Sequence, residues 1–285
     1  MFSKYSRSVL CTPGTAIHRY ARCHRSGADI CLVDLEDSVP PPRKDEARVK
    51  AEAFFSAATA APVRCAVRIN AVTEPDGLRD LLALPKYRVR PEVIHIPKVE
   101  SPRDVEIVEQ VLERSCPALE LCAVIETPRG LQNTERIAAS SPRLRALIFG
   151  AADYAVALGI ELSWGPLAYA RARVVNGARV AGIEALDSPT FEVSDLPRLR
   201  REAAMAQQLG FSGKIALHPR QVPVINEAFS PDAEQLETAH RVVTAAQRSS
   251  FGITTIDGVM VGRPFFEASQ RLLDDFGEPA QRRAT

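Results

Sequence analysis

Short apolar runs recur along the chain at intervals of roughly 25 to 35 residues, at positions 8–13, 30–36, 65–70, 93–98, 121–126, 146–150, 182–186 and 214–219. They are rich in Val, Ile, Leu and Cys with little polar alternation, the pattern of strands buried on both faces of a parallel sheet. Stretches with helical spacing lie between them, over 43–61, 102–114, 134–139, 166–181 and 195–209. Ser194 or Asp195 can cap the last of these, and Gly210 follows it as a stop signal. Eight alternating strand–helix units predict an α/β fold, a TIM (β/α)8 barrel. The alternative is a doubly wound open sheet, but no GxGxxG follows the first strand and eight regular units suit closure. Residues 1–225 are expected to form the barrel. Residues 226–285 are surplus to it and read as a C-terminal helical extension, with one helix over 231–250 and a turn followed by a last helix within 252–276.

Composition narrows the picture. Hydrophobic residues make up 46% and charged residues 25% of the 285, enough apolar material for a large core and no sign of intrinsic disorder. Lys plus Arg number 36 against 35 for Asp plus Glu, a net charge of +1, which argues against a broad nucleic-acid or anionic-membrane surface. No window of about 18 uninterrupted apolar residues suggests a membrane span. The N-terminus has no apolar segment of a secretory signal, and a cytoplasmic protein is expected. The six cysteines show no CxxC spacing, and Cys31, Cys65 and Cys122 sit inside apolar runs, so free, buried thiols are expected.

In a barrel the active site forms at the C-terminal ends of the strands. The residues there are Asp34, Glu36 and Asp37 after the second run, Arg68 and Asn70 after the third, and Lys98 and Glu100 after the fourth. Glu126 and Asp153 follow the fifth and sixth, Asp187 and His218 the last two. Converging on one mouth, two cations among many carboxylates resemble a metal-and-anion site. Glu126 and Asp153 follow consecutive strands and would be neighbours. Mg2+ wants about six oxygens and takes only one or two protein carboxylates, leaving room for a bidentate 2-oxo acid and water. The alternative for this pair is neutralisation by arginines. Zn2+ suits the site poorly, since no His/Cys cluster accompanies the pair. Arg68 can clamp a carboxylate or steady an enolate oxygen, or else form a salt bridge with Glu36 or Asp37. If the second strand continues, Glu36 and Asp37 point to opposite faces and one faces the mouth, where a role at metal-bound water is expected. Lys98 raises a Schiff-base alternative, which neighbouring carboxylates oppose by keeping it protonated. His218 is either an acid–base group or a residue orienting the last loop.

These strand ends resemble a known family. Leu-Cys-Thr-Pro-Gly at 10–14, Leu-Val-Asp-Leu-Glu-Asp-Ser-Val at 32–39 with Lys44 and Arg48, Val-Arg-Ile-Asn at 67–70 and Ile-Pro-Lys-Val-Glu at 96–100 are similar to the citrate lyase β-subunit family, the CitE-like branch of the HpcH/HpaI aldolase superfamily. So are Ile-Glu-Thr at 125–127, Phe-Gly-Ala-Ala-Asp-Tyr at 149–154 and Lys-Ile-Ala-Leu-His-Pro-Arg-Gln at 214–221. The resemblance implies a TIM-like barrel, an Mg2+ site and making or breaking of a carbon–carbon bond in a 3-hydroxyacyl thioester. It implies Glu126 and Asp153 as metal ligands, Arg68 on the carboxylate of the oxo acid, and Glu36 and Asp37 around a metal-bound water. It also implies a trimer or hexamer in which a C-terminal segment closes a neighbouring subunit's site, with the thioester on CoA or an acyl carrier protein.

One departure matters. By the same resemblance, the acyl-CoA lyases carry Met-Ile/Val-Asp before a proline, that Asp serving as base in the adjoining subunit's site. Here residues 260–264 read Met-Val-Gly-Arg-Pro, with Gly262 in that place. Asp257, five residues earlier, or a metal-bound water near Glu36 is expected to replace it, or the activity is a different one, such as thioester hydrolysis. A non-catalytic oxo-acid-binding subunit is the third expectation.

Overall fold

The structure, a computed structural model, describes residues 6–56, 63–248 and 252–276. Its eight parallel strands are β1 (Ser8–Pro13), β2 (Ile30–Asp34), β3 (Arg64–Arg68), β4 (Val93–Ile96), β5 (Glu120–Ile125), β6 (Leu144–Phe149), β7 (Glu184–Asp187) and β8 (Gly213–Ala216). Each pairs with the next in sequence and β8 closes on β1, the expected TIM barrel. Around them run α1 (Ile17–His24), α2 (Lys44–Ser56), α3 (Pro75–Ala83), α4 (Pro102–Leu112), α5 (Pro128–Gln132), α6 (Thr134–Ala138), α7 (Ala151–Leu158), α8 (Trp164–Val180), α9 (Leu196–Leu209) and α10 (Val222–Ala228).

Local signals set the boundaries. Asp104 accepts from the amides of Glu100 and Ser101 ahead of α4, and Asp195 accepts from the amide of Arg198 at the start of α9. Such caps satisfy amides that a helix leaves open. Gly210 ends α9 in the left-handed region. Residues 57–61 of the helix expected over 43–61 lie outside the described residues.

Alternation along each strand sorts the core into two. Val9, Ile30, Leu32, Val93, Val124, Ile148 and Leu186 form the cluster inside the barrel, together with the small side chains of Ala66, Cys122 and Ala146. The intervening residues, among them Leu10, Val33, Val67, Ile94, Ala123 and Leu147, face the helices in a second, larger cluster.

Ser6–Phe229 forms one compact unit and the described residues from Ser230 onward another. In the second, α11 (Ala233–Arg248) and α12 (Arg263–Phe276) flank an antiparallel hairpin of β9 (Thr254–Ile256) and β10 (Val259–Val261). Val242, Ala246, Val261 and Phe266 make its core. The hairpin stands where the sequence suggested only a turn. Asp257 and Gly258 both take positive φ, 48° and 79°, the two-residue Asp-Gly connection whose twist matches paired strands. No helix among the described residues is long and apolar enough to cross a membrane, and all six cysteines are free.

Candidate active site

The inward alternation of the strands brings four polar side chains to the top of the barrel interior. Asp34 follows Ile30 and Leu32 on β2, Arg68 follows Ala66 on β3, His95 follows Val93 on β4, and Glu126 follows Cys122 and Val124 just past β5. Asp34, Arg68 and His95 are direct partners across the ladder. Arg68 grips Asp34 through two parallel hydrogen bonds, Nε to Oδ1 at 2.6 Å and Nη2 to Oδ2 at 2.7 Å. Asp34 is fully buried. Burial alone would raise its pKa, but the guanidinium outweighs that and holds it at about 2. Arg68 Nη1 also stands 3.0 Å from Glu36 and 3.8 Å from Asp37. The contact with Glu36 Oε2 has ion-pair distance without hydrogen-bond alignment, so that buried oxygen lacks a hydrogen-bond partner.

Glu126 sits against the chain at Gly150. A methyl group there would stand 2.3 Å from Glu126 Oε2 and 2.4 Å from its Cβ, so only glycine leaves room for this carboxylate. Its Oε1 accepts from the backbone amide of Lys98 at 2.7 Å. Lys98 takes φ 51°, a left-handed conformation costing a non-glycine residue roughly 1–2 kcal/mol. The turn brings the Lys98 amide to Glu126 and its ammonium among the other carboxylates. Nζ donates to Glu36 Oε1 and stands 3.6 Å from Asp37 and 3.8 Å from Asp153. Burial, followed by the charges of Glu36 and Asp153, pushes the Glu126 carboxyl up to about 8. Burial also raises Glu36. For Lys98, burial is outweighed by the Glu36 hydrogen bond and the surrounding carboxylates, which raise its pKa; an ammonium so held does not suit a Schiff base.

Glu36, Asp37, Arg68, Glu126 and Asp153 are thus brought together. Strand β2 ends at Asp34, so Glu36 and Asp37 lie on a loop rather than on alternate strand faces. Glu36 is buried, while Asp37 is more than half exposed. Lys44 braces that loop, donating to the carbonyls of Leu35 and Glu36 and to Asn70 at 2.6–2.8 Å.

Other strand-end residues do not join the mouth. Asp187 points outward between strand and helix, where it meets Lys214 at 2.7 Å and Arg171 at 2.9 Å. Arg171 is stacked 4.3 Å from the Trp164 ring and 5.2 Å from that of Phe149. Asn70 faces Asp80 at 2.7 Å, Glu100 pairs with Arg129 at 3.7 Å, and His218 Nδ1 accepts from the Arg220 amide at 3.1 Å, ordering the loop after β8. Asp34 was placed at a strand end without a role of its own and His95 was missed, although period-two alternation from Ile30 and Val93 puts both inside the barrel. Asp257 lies in the hairpin turn of the C-terminal unit, paired with Arg241 at 2.6 Å.

The mouth opens into a cavity of about 310 Å3 lined by Asp34, Arg68, Glu126 and Asp153 above and by apolar side chains below. Among the described residues, no three His, Cys, Asp or Glu side chains are close enough to hold an ion by themselves. An all-oxygen pair, one member in a cradle that any Cβ would fill, suits Mg2+, which takes one or two carboxylates and completes its shell elsewhere.

Comparison with known proteins follows the same lines. The family model HpcH/HpaI aldolase/citrate lyase matches residues 7–219. The citrate lyase subunit beta of Haemophilus influenzae is 30% identical over 283 residues, covering 95% of this chain and 97% of that one. The L-malyl-CoA/beta-methylmalyl-CoA lyase of Cereibacter sphaeroides is 32% identical over 285 residues, covering 90% of each. The crystal structure of CitE from Mycobacterium tuberculosis in complex with magnesium, acetoacetate and coenzyme A superposes with a TM-score of 0.82 at 28% identity, over 97% of this chain and 100% of that one.

Proposed function

The chain belongs to the HpcH/HpaI aldolase/citrate lyase family, and from that premise we propose that it is an Mg2+-dependent carbon–carbon lyase, acting on a malyl-, citramalyl- or citryl-type thioester and releasing a 2-oxo acid. The observation that carries this reading is the pair Glu126 and Asp153 facing one cavity beside Arg68. Glu126 and Asp153 would hold the ion. When bound there, Mg2+ would supply the Lewis acidity that lowers the pKa of the substrate hydroxyl.

The chain's own residues do the rest. Asp34 fixes one edge of Arg68, leaving its remaining Nη donors for the oxo-acid carboxylate and for the enolate oxygen as charge develops. Glu36 and Asp37 hold a water at the mouth, a route by which the hydroxyl proton leaves. The bond between the carbinol carbon and the thioester α-carbon then breaks, its electron pair passes to the thioester enolate, and a proton quenches that enolate. The thioester is carried by CoA or an acyl carrier protein. Residues 226–285 act as a lid at a neighbouring subunit's site in a homotrimer or hexamer, in the reducing cytoplasm that free cysteines suit.

Malyl-, citramalyl- and citryl-CoA are the substrates to test, with the released 2-oxo acid identified directly. Loss of activity and of Mg2+ affinity in Glu126→Ala is expected; full retention of both would refute the assignment. Gly262 favours a second reading, thioester hydrolysis in the same site, which yields a free thiol and a hydroxy acid with no oxo acid. Metal-dependent ligand binding without turnover of any thioester would instead mark a non-catalytic oxo-acid-binding subunit.

A further inference from the structure

We propose that the cavity beneath Arg68 receives the side group of the 2-oxo acid and selects a small, uncharged one. The inference rests on the lyase reading of the site and narrows its substrates to those built on pyruvate-like acids rather than oxaloacetate.

Three observations carry it. First, the cavity floor consists of Val9, Leu32, Val124, Ile148 and Ile215, with His95 beside them. These are inward residues of six different strands, so the floor is part of the barrel wall and cannot swing aside as a loop could. Second, the His95 side chain that borders the floor is buried, and its Nε2 has no hydrogen-bond partner. Burial and the nearby Arg68 depress that imidazole to about 3, so His95 offers a hydrogen bond and no counter-charge. Third, the cations are already committed. Arg68 spends one edge on Asp34 and faces Glu36 with Nη1, and Lys98 is held by Glu36, Asp37 and Asp153. The first carboxylate of an oxo acid can still meet the remaining Nη donors. A second carboxylate in the cavity would lose its water and meet none.

An alkyl group gains from the same walls. Each added carbon buried on the apolar floor is expected to tighten binding about fourfold, until the space is filled. Glyoxylate leaves the floor uncovered; pyruvate and 2-oxobutyrate cover it.

The test is calorimetric titration of the full-length protein, saturated with Mg2+, with glyoxylate, pyruvate, 2-oxobutyrate and freshly prepared oxaloacetate. The expected order places 2-oxobutyrate at or above pyruvate, pyruvate about fourfold above glyoxylate, and oxaloacetate at least tenfold below pyruvate. If none of the four binds in an Mg2+-dependent way, the lyase reading itself fails. If oxaloacetate binds as well as pyruvate, or affinity falls from glyoxylate to pyruvate, the site stands but the selection inferred here is wrong. Cys11 also lines this space. Cys11→Met narrows it and should erase the advantage of 2-oxobutyrate over glyoxylate while glyoxylate binding remains. A variant with wild-type circular dichroism that keeps that advantage would place the side group elsewhere and overturn the inference.

Discussion

Replacing Gly150 by alanine tests the construction of the site with one methyl group. The new Cβ would fall 2.3 Å from Glu126 Oε2 and 2.4 Å from Glu126 Cβ, against an ordinary carbon–carbon contact of about 3.5–4.0 Å. The carboxylate oxygen could rotate away, but the Glu126 Cβ is fixed to backbone just past the end of β5. The Gly150 amide is itself bound to the Ile125 carbonyl at 3.0 Å, so the two chain ends cannot separate freely. More than 1 Å of overlap must therefore be relieved by moving backbone, at a cost of about 1–3 kcal/mol in stability. Because the shift falls on a proposed ligand, Mg2+ affinity should drop by roughly 10- to 100-fold, the range seen when a ligand's support is disturbed. Calorimetric titration with Mg2+ reads the affinity, and thermal denaturation without metal reads the stability. Gly165→Ala is the control, since its Cβ meets nothing within 4 Å; in the first turn of α8 it should leave Mg2+ binding unchanged and should not destabilise the fold. A folded Gly150→Ala protein that binds Mg2+ like wild type would refute the cradle argument and, with it, Glu126 as a ligand.

Four further outcomes follow from the same charges. With the Glu126 carboxyl at about 8 in the metal-free protein, binding of Mg2+ below that pH must displace a proton, so calorimetric affinity should rise by one to two orders of magnitude from about pH 6 to 8 and then level off. The linked effect on stability has the opposite sense: this carboxyl favours the fold at low pH, and denaturant titrations without metal should show that contribution disappearing between about pH 4.5 and 8. Lys98→Met removes the ammonium facing Glu36, Asp37 and Asp153; Mg2+ should bind roughly tenfold more tightly and the metal-free protein should melt lower, whereas weaker binding would show that Lys98 organises the ligands instead of competing for them. Asp34→Asn strips the counter-charge from Arg68 and should cost roughly 3 kcal/mol in chemical denaturation, the lower end for a broken buried pair because the Arg68 side chain keeps 21% exposure.

The barrel was legible because parallel strands covered on both faces leave continuous apolar runs, and these eight runs correspond to the eight strands. Their ends were less legible. Glu36, Lys98, Glu126 and Gly150 were read as the last residues of strands, yet each lies beyond the ladder, where the chain needs freedom to turn side chains into the mouth. Lys98 makes this plain: its positive φ conflicts with strand geometry and with the ordinary preference of lysine, and that conflict is what lets one residue serve Glu126 with its amide and three other carboxylates with its ammonium. No local propensity announces such a turn. Likewise the hairpin of β9 and β10 is only three residues a side, too short for periodicity to register, although Asp257-Gly258 was a turn signal in plain view.

Strand parity separates Asp187 from Asp34 and explains why proximity to a strand end was an insufficient criterion. Leu186 faces the barrel interior, so Asp187 must face the helices, and its pairing with Lys214 and Arg171 is the consequence. Ile30 and Leu32 face inward, so Asp34 does too, and it becomes the partner that orients Arg68. Both aspartates are fully buried and both are paired with a guanidinium; one braces the scaffold and the other the mouth. The distinction lies in a single step of register, which reverses the face of every side chain it touches. The same step explains His95. As an inward residue paired with Arg68 on the ladder, it borders the space that any side group of the substrate must meet. Charge at the mouth therefore bears on which end of a thioester is held, while the uncharged inward layer two residues lower, Leu32 beneath Asp34 and Val124 beneath Glu126, bears on which thioester it is.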